Sequence, residues 1–139
     1  MDYEMTSNGA YSTQDFINTI LSFSFKSHQY ISRDHLSRIA YVAAYEYSRI
    51  TGKKIIAENF SFETLCPRLQ TVNNAFCRSF DFGCIQHFIK EDERKVNFIE
   101  DPKDLAIIKK VWRETCSMSL IEFTQRISNY RRNELLLAS

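Results

Sequence analysis

The chain has 139 residues, 44% of them hydrophobic and 25% charged, values that suit one globular domain and argue against disorder. Eighteen basic and seventeen acidic residues leave a net charge of +1, so the broad basic field that marks a nucleic-acid-binding surface is absent. No run reaches eighteen apolar residues, which excludes a membrane-spanning helix, and three glycines with two prolines are few for a β-sandwich.

The fold class expected is mainly α, a compact bundle of about five helices with a small β-hairpin between the third and the fourth. Residues 1–12 lack the charged-then-apolar pattern of an export signal and read as a flexible leader. A single helical domain over 13–139 follows, in a protein expected to be cytoplasmic. The first helix starts near Ser12 or Thr13 and carries Phe16, Ile17, Ile20 and Leu21 at helical spacing. Ser27 to Ile31 reads as a connector.

Ser32 caps the second helix, Asp34 suits the dipole of its first turn, and Gly52 marks its end. Leu36, Ile39, Ala40, Ala43, Tyr47 and Ile50 fall on its apolar stripe. Ile55 to Phe62 reads as extended. Pro67 predicts the start of a third helix, with Leu69, Val72, Phe76 and Phe80 on one face and Asp81-Phe82-Gly83 closing it. The β-prone runs Ile85–Ile89 and Lys95–Ile99 flank a charged turn and predict the hairpin.

Asp101-Pro102 opens a fourth helix with Leu105, Ile108, Val111 and Trp112 facing inward. Ser119 and Glu122 have the spacing of a capping box for a fifth, flanked by Met118 and Phe123 as its hydrophobic staple. Phe123, Ile127 and Tyr130 carry the apolar face onward, and Leu135 to Ala138 suit a packed last turn.

Three separated glycines build no phosphate loop, and neither a His-Glu-x-x-His nor a Cys-x-x-Cys pair is present. Cys66, Cys77, Cys84 and Cys116 read as reduced, mostly buried thiols. Cys84 and His87, with Cys66 or Cys77, have the only spacing that suggests zinc; a cryptic zinc or thiol protein is therefore an alternative, but no metal and no cofactor is expected. His28 and His35 read as exposed polar residues, and no nucleophile–base set stands out, so no enzyme is expected. Arg126, Arg131 and Arg132 complement the dipole near the end of the last helix. With Tyr130 they are also the residue types that anchor partners, which makes them the candidate partner-binding set. The aromatic surplus of eleven Phe and seven Tyr could extend such a patch.

The order Leu36-Ser37-Arg38-Ile39-Ala40-Tyr41, then Tyr47, Thr51-Gly52-Lys53, Phe60-Ser61-Phe62 and Pro67, resembles the N-terminal half of the Panacea domain. Val111-Trp112 and Ser119 to Thr124 look like its C-terminal half. Cys66, Arg68 and Gln125 depart from that family's glycine, valine and histidine, and Arg38 stands for its lysine. The resemblance implies Leu36, Arg38, Tyr41, Gly52, Phe62, Pro67, Trp112 and Thr124 as the motif residues. It also implies a non-enzymatic antitoxin that neutralises a toxin by direct binding. The alternative from the same resemblance is a phage-encoded inhibitor of a host defence complex, such as an anti-CRISPR. The partner expected is another protein, with neither a membrane nor nucleic acid.

Overall fold

Five helices and a two-stranded antiparallel ribbon make up the described residues of the computed structural model, which are 9–29, 31–63, 66–76 and 98–138. In chain order these are α1 (Thr13–Lys26), α2 (Arg33–Thr51), β1 (Ser61–Glu63), β2 (Cys66–Arg68), α3 (Gln70–Phe76), α4 (Pro102–Thr115) and α5 (Leu120–Ala138).

Each long helix starts where a side chain can satisfy a first-turn donor. The hydroxyl of Ser12 accepts from the N–H of Asp15, and that of Ser32 from the N–H of His35, both at 3.1 Å. Asp101 accepts from Lys103 and Asp104, with Pro102 at the first helical position. The capping box of α5 is reciprocal: Ser119 N–H donates to Glu122 at 3.0 Å, and Glu122 N–H donates to Ser119 Oγ at 3.2 Å. Gly52 ends α2 at φ +74, and its N–H returns to the carbonyl of Ser48 at 2.8 Å.

α2 lies at the centre. Leu36, Ile39, Ala40, Ala43 and Tyr47 are buried against Phe16, Ile17, Ile20 and Leu21 of α1 and Ile108, Val111 and Trp112 of α4. α4 runs antiparallel to α2, since His35 meets Thr115 at one end and Tyr47 meets Asp104 at the other. Ile50 departs from the expected stripe: it is 54% exposed, because Ala106 and Ile107 opposite it border an open cleft instead of closing over it. His35 departs in the other direction. It is half-buried, edge-on to Phe123 at 5.4 Å, with Nε2 3.3 Å from the carbonyl of Thr115.

The segment after α2 supplies the small hairpin and corrects the expected start of the third helix. A hairpin lies between the second and third helices, pairing Ser61 with Arg68, Phe62 with Pro67 and Glu63 with Cys66. Pro67 therefore belongs to β2, and α3 begins at Gln70. A proline tolerates this position because the ladder does not call on its missing donor. The first turn of α3 is capped from outside by Glu58, which accepts from Thr71 N–H at 3.1 Å and Thr71 Oγ1 at 2.6 Å. Leu69 and Val72 are fully buried, as their spacing predicts. The hairpin expected over 85–99 and the end of the third helix at 81–83 lie outside the described residues, apart from Phe98 and Ile99, which form no strand. Ile99 is instead buried, its N–H donating to Thr19 Oγ1 at 2.9 Å.

Residues 9–12, expected to be leader, run parallel to 54–57. Ala10 and Tyr11 N–H groups donate to the carbonyls of Lys54 and Ile55 at 3.0 and 2.8 Å. A β-carbon on Gly9 would stand 2.3 Å from the backbone nitrogen of Ala57, so only glycine permits this approach. Tyr11 closes the strap by donating its hydroxyl to Asp104 Oδ2 at 2.5 Å.

Candidate partner-binding face

Tyr41, Ala44, Tyr45 and Ser48 recur at three- and four-residue spacing on α2, beside the stripe that faces the core. Opposite them the chain climbs from Lys54 through Ile55 and Ile56 to Phe60 and Phe62. An open groove of about 640 Å³ lies between, with Glu134 of α5 at its margin. Ile55 and Ile56 are 1% and 2% exposed, so this wall is anchored in the core while its rings stay half-exposed.

The rings hold one another in place. Tyr41 meets Phe60 and Phe62 edge-on, at 5.3 and 5.2 Å between centroids. Tyr45 stacks on Tyr130 at 3.7 Å, and the guanidinium of Arg131 lies 4.0 Å over the Phe62 ring. Burial, then the bond that its hydroxyl donates to Glu134 at 2.5 Å, pushes Tyr41 well above the usual phenol range.

A chain of polar contacts ties α5 to the back of this face. Tyr130 donates to Glu46 Oε2 at 2.5 Å and accepts from Arg126 Nε at 2.6 Å; Arg126 also donates to Glu114 at 2.9 Å. Burial and then the Glu46 carboxylate push Tyr130 up to about 12, with Arg126 opposing. Burial alone would raise Glu46, but the bonds from Tyr130 and Arg49 outweigh it and hold the carboxyl below its usual range. Burial likewise works against the charge on Arg126, and its bonds to Tyr130 and Glu114 more than offset that.

The four candidate partner-binding residues therefore divide. Tyr130 is 8% exposed and Arg126 half-buried, both engaged in holding α5. Arg131 and Arg132 are exposed, and of these only Arg131 reaches the groove. Among the motif residues, Tyr41 and Phe62 meet at the groove, whereas Leu36 and Trp112 are core. Arg38 is half-buried on α2, Gly52 ends α2 in the left-handed region, Pro67 sits at a non-bonded position of β2, and the hydroxyl of Thr124 bonds back to the carbonyl of Leu120 at 2.8 Å. Tyr45, Phe60, Lys54 and Glu134 complete the face; of these only Phe60 was marked in the sequence, within the Phe60-Ser61-Phe62 segment of the resemblance. The spacing Tyr41/Tyr45 and the pair Phe60-x-Phe62 carry the signal for it.

Cys66 is buried and Cys116 half-buried, both as free thiols. Cys77, Cys84 and His87 lie outside the described residues. Among the described residues no group of three or more His, Cys, Asp or Glu side chains is placed to hold a metal, and no helix is long and apolar enough to cross a membrane. The chain matches no family model, no curated protein and no solved structure.

Proposed function

We propose that the chain is a protein-binding module of the antitoxin kind, a divergent relative of the Panacea domain that neutralises a toxin by holding it. The observation that carries this is the groove between α2 and residues 54–62, walled by Tyr41, Tyr45, Phe60 and Phe62. Aromatic side chains and arginine dominate the energetics of protein interfaces. Rings already fixed by their neighbours lose little freedom when a partner arrives. The polar groups around the groove support binding over catalysis, because they bond to one another as struts between helices.

The test is growth of cells that express the protein encoded beside this one. Co-expression of the native chain restores growth. The Phe60→Ala and Lys54→Glu variants, on the groove wall and rim, lose the rescue while remaining folded by circular dichroism, Lys54→Glu with its melting temperature unchanged. Failure of the native chain to rescue, or full rescue by both variants, overturns the proposal.

A further inference from the structure

Phe62 and Pro67 form the middle pair of the β1–β2 ribbon. In an antiparallel ribbon, opposed residues alternate between pairs that exchange two hydrogen bonds and pairs that exchange none. Pro67 has no N–H, so Phe62–Pro67 is a non-bonded pair, and the ladder bonds fall to Ser61–Arg68 and Glu63–Cys66. The N–H and C=O of Phe62 then point away from β2. No other backbone group among the described residues bonds to them.

The two edges of the ribbon are unlike. β2 lies against α2, lacks a donor at Pro67, and has the Pro67 carbonyl 3.6 Å from the Cys66 thiol. β1 is the outer strand. The groove lies on the face of β1 that Phe60 and Phe62, two residues apart, share, so alternate side chains of a strand added at the edge would project toward it. An open edge is a template for another strand.

Among the described side chains, the charges left open at this edge are positive. Arg131 stands on the Phe62 ring and forms no ion pair among the described residues, while Lys54 bonds only to the neutral oxygens of Ala57 and Asn59. The carboxylates nearby already accept hydroxyl donors: Glu134 from Tyr41, and Glu58 from Thr13 and Thr71. We propose that β1 captures an extended, acidic segment of its partner as a third strand. The segment's backbone pairs with Phe62, alternate apolar side chains enter the groove, and a carboxylate meets Arg131. This rests on the protein-binding role proposed above and specifies the form of the ligand. Two backbone bonds on a three-residue strand are a register guide, so the groove must supply most of the affinity.

Linear peptides selected from a random displayed library against the full chain test this. The expected winners alternate apolar residues and carry an Asp or Glu. N-methylation of a synthetic winner, one residue at a time, weakens binding about tenfold at the single position whose N–H donates to the Phe62 carbonyl and leaves its two neighbours tolerant, the ratio that one lost hydrogen bond of ordinary strength gives. The Phe62 amide becomes protected from exchange when peptide is bound. Arg131→Glu, at an exposed site, weakens the winner, and replacing the peptide's acidic residue by Lys restores it. Winners that compete at the groove but tolerate N-methylation everywhere, or lose binding every third or fourth residue, overturn strand addition and leave groove binding standing. The absence of any winner that competes at the groove overturns both.

Discussion

Removing one oxygen from Tyr130 tests whether α5 is fastened as described. Its hydroxyl sits between Glu46 Oε2 at 2.5 Å and Arg126 Nε at 2.6 Å, and its ring stacks on Tyr45. Tyr130→Phe keeps the stack and deletes both bonds. A hydrogen bond to a charged group contributes about 1.5–3 kcal/mol. The two losses do not add, because Glu46 keeps its bonds from Arg49 and Arg126 keeps Glu114. Arg126 is also 25% exposed, so water replaces part of what it loses, whereas Glu46 is only 14% exposed. The expected cost is about 2 kcal/mol, or a fall in melting temperature of about 8 °C for a chain of this size. Thermal melts at pH 7 measure it, with Tyr45→Phe as control, since the Tyr45 hydroxyl makes only a 3.4 Å contact with Asn133. The effect also depends on pH. Glu46 is held below its ordinary value of 4.5, so its contribution is present above that pH and is lost as pH falls through the depressed value. The gap between native and variant therefore narrows in acid. A cost at pH 7 below about 0.5 kcal/mol, or equal to that of Tyr45→Phe, refutes the coupling of α5 to α2 through this oxygen.

Ser119→Ala removes one half of the capping box and is expected to lower stability by about 1 kcal/mol, read by chemical denaturation. Gly52→Ala meets no steric neighbour, so its cost of about 1–2 kcal/mol reports only the left-handed backbone; Gly9→Ala instead drives a β-carbon into Ala57 and accelerates amide exchange at Ala10 and Tyr11. Burial, aided by the charge of Arg38 and opposed by the Thr115 carbonyl, lowers His35 below 6.5. Its neutral form is favoured in the fold, so stability is full above about pH 6.5 and declines as pH falls toward the depressed value. A His35→Gln variant flattens that decline in melting temperature between pH 7 and 5.

What the sequence disclosed was what neighbours along the chain decide. Ser12, Ser32, Gly52, Asp101-Pro102 and the Ser119–Glu122 box act within one helical turn, so their types and spacing suffice. Pro67 misled because a missing donor suits a non-bonded ladder position as well as a first helical turn, and the choice depends on a strand five residues upstream. Glu58 capping α3 across 13 residues leaves no local mark at all. The surroundings of the candidate residues were hidden in the same way. Arg126 and Tyr130 look like surface anchors until Glu46, 84 residues before Tyr130, claims the phenol. Tyr41, Phe60 and Phe62 were marked through a resemblance, while Tyr45 became visible only when the groove brought it beside them.

The strap at residues 9–12 also bears on how the chain folds. It docks beside the contact between Thr13 and Glu58, which closes a loop of 45 residues. Parallel pairing requires that intervening chain to be in place, and loop closure precedes any reward from the contact. α2, with both ends capped locally, needs no such closure. The strap is thus a late arrival in folding and an early departure in native-state opening, releasing Ala10 and Tyr11 amides before those of α2. Its departure would uncover Ile55 and Ile56, which also border the groove. Exposure of that wall is therefore expected to follow the opening of a segment distant in sequence, read as matched exchange at the Ala10 and Tyr11 amides.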